Sequence, residues 1–159
     1  MKKTLSLLLS LVLMLSLALP ASAAETEYPT LEGGVTEIQK YGNIVLDIDP
    51  ADLKDGGYTY GDLLTVTVNG TGYDMPLCTN YSDVDTGALV LRDSEGVLIA
   101  AINMGDFATS NGLAAKVTAE DGSYTWEFPE GQSLESITVS ISMKAVSYTH
   151  LTLPTIRLV

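Results

Sequence analysis

Between residues 35 and 143, apolar and polar side chains alternate in short runs separated by glycine, asparagine and aspartate. Period-two alternation predicts β-strands that have one face on a core and the other in water. Eight such runs occur, and they span residues 35–40, 43–49, 63–68, 73–78, 88–92, 97–102, 123–128 and 137–143. Because no βαβ rhythm or repeat is present, the pattern predicts an all-β fold, a small antiparallel β-barrel or sandwich of about seven strands.

The connections between these runs carry recognisable turn signals. Asn69-Gly70 joins two runs and predicts a tight hairpin, while Pro76 in the returning run indicates an edge strand or a bulge. Asp49 followed by Pro50 is typical of a cap and first position of a short helical turn.

Two further segments complete the predicted domain. Residues 97–102 are apolar throughout and predict the most buried strand. Residues 105–113 predict one short helix that ends near Gly112.

The first 23 residues predict a secretory signal peptide. Two lysines precede an apolar run over residues 5–19, Pro20 breaks it, and the small residues 21–23 form a cleavage motif. The apolar run is short for a membrane span, so we expect a secreted, extracellular protein with no membrane contact after cleavage. Residues 24–33 are polar and predict a linker, and residues 34–145 then form one domain.

The C-terminal residues 146–159 have a different origin in our interpretation. Residues 146–155 can be back-translated to a string that resembles a transposase adapter used in sequencing libraries. We therefore expect residues 146–159 to be adapter-derived and the chain to be a truncated fragment, with a lost downstream domain as one candidate partner. His150, the single histidine, falls in this tail.

The charge of the remaining chain limits its partners. Residues 24–145 contain five basic and twenty acidic side chains, a difference of −15. Such a surface repels phosphate backbones and anionic lipid, so we expect neither nucleic acid nor membrane as a partner.

The same residues exclude several kinds of chemistry. Without His150 no Ser-His-Asp or Cys-His arrangement can form, and Cys78 is alone, so we predict no catalytic residue, metal site or resident cofactor. Cys78 has the character of a small buried apolar residue. Residues 83–87 alternate oxygen ligands but lack the third ligand of a calcium loop, which favours a solvated Asx turn.

Two turns offer candidate binding residues. Tyr41-Gly42-Asn43 lies between two predicted strands, and Asn103 and Met104 follow a third. Gly-Asn pairs are common in turns because both residues tolerate positive φ. The alternative is a binding site, since a carboxamide can recognise the edge of a heterocycle such as adenine and an aromatic ring can stack on its face.

Three motifs in order resemble the C-terminal domain of the S-adenosyl-L-methionine (SAM) hydroxide adenosyltransferases, relatives of the bacterial fluorinase and chlorinase. The first is aromatic-Gly-Asn at residues 41–43, with Tyr41 in place of the usual Phe. The second is Tyr-x-Asp-Val-x-x-Gly at residues 81–87, and the third runs from Ser94 through Gly96 to an Asn-x-Gly-x-x-Ala segment at residues 103–108.

The resemblance implies a small β-barrel that supplies the adenine side of a ligand pocket. It implies that Tyr41 stacks on adenine, that Asn43 hydrogen-bonds to its edge, and that Asn103 and Met104 form the adjacent wall. An adenosyl small molecule, SAM included, would then be the ligand. The family's catalytic aspartate lies in an N-terminal domain, and a signal peptide stands in its place here, so we expect no catalysis by this chain alone.

The alternative is a non-catalytic structural or targeting β module of a truncated secreted enzyme. The segment at residues 102–108 is similar to one in secreted proteins of Firmicutes that continue into a phosphatase-like domain. In this interpretation the β-domain packs against that lost domain and binds no small molecule.

Overall fold

The computed structural model describes residues 27–145. The predicted signal peptide, the start of the predicted linker and the adapter-like tail lie outside the described residues. The elements in chain order are β1 (Leu31–Ile38), β2 (Ile44–Leu46), α1 (Pro50–Asp55), β3 (Leu63–Val68), β4 (Thr71–Cys78), a 3₁₀ turn (Tyr81–Asp83), β5 (Leu89–Ser94), β6 (Val97–Ile102), α2 (Phe107–Ser110), β7 (Ala115–Thr118), β8 (Tyr124–Glu127), a second 3₁₀ turn (Leu134–Ser136) and β9 (Thr138–Met143).

Seven strands form a closed barrel in the spatial order β1-β2-β6-β5-β4-β3-β9. Neighbouring strands are antiparallel except β4 and β5, which run parallel and pair through Leu77↔Leu91 and Cys78↔Arg92. The predicted all-β barrel is therefore confirmed, with two short helices instead of one. None of the helices within residues 27–145 is long and apolar enough to cross a membrane.

Inward-facing side chains from every barrel strand fill the interior. Four consecutive residues of β6, 98–101, are buried, which agrees with the prediction that this apolar run lies deepest. The largest fully buried side chains are Phe107, Ile44, Leu53, Leu64, Met75, Leu91, Leu98, Ile137 and Ile141. Phe107 comes from α2, so this short helix closes the core at one end of the barrel.

The predicted turns form as their residues require. Asn69 and Gly70 have φ values of 47° and 81°, the positive pair that a two-residue hairpin needs. Asp49 accepts a hydrogen bond from the backbone N–H of Ala51 at 2.8 Å and thus caps α1. Pro76 is the last β4 residue paired with β3, immediately before β4 pairs with β5.

Two features differ from the sequence pattern. β1 begins at Leu31, inside the segment predicted as a linker, because residues 31–34 pair with β9. The predicted strand at residues 123–128 lies outside the barrel, where Tyr124–Glu127 (β8) pairs with β7, a strand that we did not predict. β7 is mostly exposed, so it shows no clear alternation.

Candidate functional site

The turn between β1 and β2 carries two of the predicted binding residues. It is closed by backbone hydrogen bonds from Gln39 N–H to Asn43 O (2.8 Å) and from Gly42 N–H to Gln39 O (2.9 Å). Gly42 has a φ of 82°, and a Cβ at this position would lie 1.9 Å from Asp106 Oδ1. Glycine is therefore required both for the backbone conformation and for the close approach.

The turn between β6 and α2 carries the other two. Met104 adopts a φ of 60°, and Gly105 N–H donates to Ile102 O at 2.9 Å. Asp106 then caps α2, since its carboxylate accepts from the backbone N–H and the hydroxyl of Thr109 at 2.8 and 3.0 Å.

A backbone hydrogen bond from Ala108 N–H to Gly42 O, 2.9 Å long, joins these two turns. The turns lie at the same end of the barrel, because β2 pairs with β6 and Ile44 stands opposite Ala100. All four predicted residues, Tyr41, Asn43, Asn103 and Met104, consequently line one open cleft.

The cleft has a volume of about 710 Å³, which falls within the range of roughly 300–1,000 Å³ for small-molecule sites. Its walls combine aromatic, aliphatic, amide and charged side chains. The lining residues are Lys40, Tyr41, Asn43, Tyr81, Ile102, Asn103, Met104, Gly105, Asp106 and Lys116.

The apolar groups of the cleft face water. Tyr41 is 71% exposed and Met104 is 86% exposed, although both are held on ordered turns. Exposed apolar side chains on a fixed backbone are a common feature of contact surfaces. The Tyr41 ring is therefore accessible to a ligand.

Asn43 is half-buried and fixed in place. Its Nδ2 donates to Tyr81 Oη at 3.2 Å and to Gln39 Oε1 at 3.5 Å. Its Oδ1 accepts no hydrogen bond from another described residue. The amide therefore offers an acceptor to a ligand, while its donor is used within the protein.

Asn103 binds the loop on the other side of the cleft. Its Nδ2 donates to the backbone oxygens of Tyr81 and Val84 at 3.1 and 2.9 Å. These bonds fix the 3₁₀ turn at Tyr81–Asp83 against the end of β6. In the described chain Asn103 is thus a positioning residue for Tyr81, and it also lines the cleft.

Sequence reasoning missed four polar or charged side chains of the cleft: Lys40, Tyr81, Asp106 and Lys116. Tyr81 and Asp106 lie within the motifs at residues 81–87 and 103–108, so the motifs could have indicated that both residues line the site. Lys116 comes from β7, and no pattern in the sequence placed that strand beside the barrel.

A second, smaller cavity of about 220 Å³ lies beside α1. Its polar groups satisfy one another: Asp93 accepts from Tyr60 Oη at 2.6 Å and forms an ion pair with Lys54 at 3.2 Å. These contacts hold the pKa of Asp93 below the usual aspartate range. The rest of the cavity wall is mainly apolar. The bonds among Lys54, Tyr60 and Asp93 therefore stabilise the fold, and no ligand is needed to explain them.

Other candidate chemistry is accounted for locally. Within residues 27–145 no three His, Cys, Asp or Glu side chains are grouped so that they could hold a metal ion. In the segment at residues 83–87, Asp83 accepts from the backbone N–H of Asn80 at 3.2 Å. Cys78 is buried, and burial raises the pKa of its thiol, which disfavours the reactive thiolate.

These observations define a class: a small closed β-barrel domain with an amide- and aromatic-lined cleft at one end. Residues 33–119 match the family model described as SAM hydroxide adenosyltransferase C-terminal domain. The match covers 87 of the 159 residues. The chain therefore belongs to this family, and the resemblance predicted from its motifs is confirmed.

Among solved structures, an uncharacterized conserved protein from Thermotoga maritima is similar in fold, with a TM-score of 0.53 and 20% sequence identity. The similarity covers 70% of this chain and 35% of that one, so this chain spans about a third of the length of its structural neighbour. No curated protein matches the chain.

Proposed function

We propose that this chain is a secreted, non-catalytic domain that binds an adenosyl small molecule in the cleft between the β1–β2 and β6–α2 turns. The observation that carries the proposal is the pairing of an exposed Tyr41 ring with the fixed amide of Asn43. Family membership supports the adenosyl class of ligand.

In this proposal the two residues have separate roles. The Tyr41 ring stacks on the adenine face, which in other proteins contributes roughly 1–3 kcal/mol per base. The free Oδ1 of Asn43 accepts from the exocyclic amino group of adenine. Because Asn43 Nδ2 is already bonded to Tyr81, Tyr81 orients this acceptor.

Calorimetric titration of the chain with adenosine and SAM tests the proposal. We expect Tyr41→Ala to weaken binding by about 1–3 kcal/mol, while Tyr41→Phe keeps the ring and the affinity. We expect a loss of about 1–3 kcal/mol in Asn43→Ala, because the adenine amino group then loses its acceptor. Absence of heat at millimolar ligand in the folded chain would reject the adenosyl proposal, and unchanged affinity in Asn43→Ala would reject the site.

One observation favours a second candidate, a structural or targeting module that packs against a further domain, phosphatase-like or other. Met104 and Tyr41 together expose apolar surface at one end of the barrel, which is also typical of a protein contact. In that case we expect the charged substitution Met104→Glu to weaken packing against the further domain. Calorimetry would then show no adenosine binding, either in the parent chain or in the variant.

The secreted location rests on the sequence of residues 1–23. Expression of the chain in a secreting bacterial host, followed by N-terminal sequencing, tests it. We expect the mature protein in the medium to begin at residue 24, whereas an uncleaved cell-bound chain would contradict the proposal.

A further inference from the structure

The basic side chains of the domain are unevenly distributed. Residues 27–145 contain five: Lys40, Lys54, Arg92, Lys116 and Lys144. Lys54 pairs with Asp93, and Lys144 pairs with Asp74. The remaining three form no salt bridge with any described carboxylate, in a domain with nearly four times as many acidic as basic residues.

Two of these three cations belong to the candidate cleft, and the third is next to one of its walls. Lys40 and Lys116 line it directly. Arg92 lies over the ring of Tyr81, 4.9 Å from its centroid, and Tyr81 lines the cleft. Both lysines without a described salt bridge thus lie in one cleft, although unpaired lysines gain nothing for stability by being neighbours. Arg92 Nε donates to the backbone oxygen of Thr79 at 3.0 Å and stays outside the cleft lining.

The two lysines are held by specific contacts. Lys116 Nζ donates to the backbone oxygen of Lys40 at 2.6 Å and lies 4.8 Å from the centroid of the Tyr124 ring. Lys40 Nζ lies 5.8 Å from the centroid of the Tyr41 ring. The β7–β8 hairpin, which stands outside the barrel, therefore brings a second ammonium group beside the proposed stacking platform.

One carboxylate, Asp106, also lines the cleft. Its two oxygens accept from the backbone N–H and the hydroxyl of Thr109, so its charge is directed toward the start of α2. The local balance in the cleft is therefore two lysines against one engaged carboxylate. Elsewhere the acidic surface repels anions, which makes this cleft the favourable place for one.

We propose that the adenosyl ligand of this cleft is an anion, an adenine nucleotide whose phosphate lies between Lys40 and Lys116. The inference rests on the proposed adenosyl function and narrows its ligand. Ammonium–phosphate hydrogen bonds are charge-assisted and stronger than neutral ones. The same lysines repel the sulfonium cation of SAM, so they select between adenosyl compounds by charge.

Calorimetry with adenosine 5′-monophosphate (AMP), adenosine, SAM and inorganic phosphate at low ionic strength tests this inference on the full secreted chain. We expect AMP to bind about tenfold or more tightly than adenosine, and SAM to bind more weakly than AMP. Raising the salt from 50 to 500 mM should weaken AMP binding and leave adenosine binding nearly unchanged, because only the first depends on charge.

Substitutions locate the effect. In the double variant Lys40→Gln/Lys116→Gln, we expect AMP to bind no more tightly than adenosine does to the same variant. The double variant Lys54→Gln/Lys144→Gln removes two positive charges from lysines outside the cleft lining and serves as the matched control, with AMP binding unchanged.

The outcomes separate the two proposals. Equal affinities for AMP and adenosine, or tighter binding of SAM than of AMP, would overturn the anion inference and leave the adenosyl function standing. Inorganic phosphate binding as tightly as AMP would overturn it as well, since the adenosine would then contribute nothing. If none of the adenosyl compounds binds, the proposed function itself fails.

Discussion

The close approach of Gly42 to Asp106 makes a quantitative prediction about the candidate site. Replacing Gly42 with Ala places a Cβ 1.9 Å from Asp106 Oδ1, at a residue whose φ is 82°. The left-handed conformation costs a non-glycine residue about 1–2 kcal/mol. The carboxylate must also move, and loss of its cap on α2 costs about 1 kcal/mol more. We expect Gly42→Ala to lower the free energy of unfolding by about 2–3 kcal/mol.

Gly96→Ala is the matched control for this substitution. Gly96 has a similar φ of 91°, in the turn between β5 and β6, but no atom lies within 4 Å of its added Cβ. Gly96→Ala therefore has the conformational cost without the clash, and we expect it to lower the free energy of unfolding by about 1 kcal/mol.

Urea unfolding followed by far-UV circular dichroism measures both variants. If Gly42→Ala costs no more than Gly96→Ala, the contact with Asp106 is not a constraint and the reasoning is refuted. A double variant, Gly42→Ala/Asp106→Ala, gives a second check, because removing the carboxylate opens the space. The double variant should lose about 1 kcal/mol or more less unfolding free energy than the two single variants, Gly42→Ala and Asp106→Ala, lose together.

Two further predictions concern titratable groups. The hydrogen bond from Tyr60, with Lys54 beside it, lowers the pKa of Asp93. Ionised Asp93 therefore stabilises the folded state fully above the unfolded-state pKa of about 4. This stabilisation is lost as the pH falls through the lower native pKa. We expect Asp93→Asn to cost about 1–2 kcal/mol at pH 7 and to flatten the acid limb of a stability–pH curve; an unchanged limb would contradict this. Because burial raises the pKa of the Cys78 thiol, we expect it to react with a disulfide reagent about tenfold or more slowly in the native state than in urea, and equal rates would contradict that.

Local signals in the sequence were sufficient for much of the barrel. Asn69-Gly70 needs two positive φ values, which few residue pairs accept, so the hairpin between β3 and β4 was predictable from two letters. The apolar run in β6 and the cap at Asp49 are similar cases, because each depends on neighbours in the chain.

Features that depend on distant pairing were not predictable in this way. Leu31 and Glu32 look like linker residues, yet β9, more than a hundred residues away, supplies their partner. Alternation at residues 123–128 indicated a strand but could not say whether it joins the barrel or pairs with β7. For the same reason Lys116 could not be placed at the site, whereas Tyr41 and Asn43 came with a recognisable motif.

The parallel contact between β4 and β5 has a consequence for how the barrel moves. Most barrel neighbours pair over three to six positions, but this contact consists of Leu77↔Leu91 and Cys78↔Arg92 alone. To form these two residue pairs, the chain must order the whole connection from β4 to β5. In contrast, the β3–β4 and β5–β6 pairs form within local hairpins. We expect the barrel to open readily along this line, with fast amide hydrogen exchange there, because only two residue pairs hold it. The 3₁₀ turn that carries Tyr81 lies in that connection, so the bonds from Asn103 are what keep this wall of the cleft on β6 when the two strands separate.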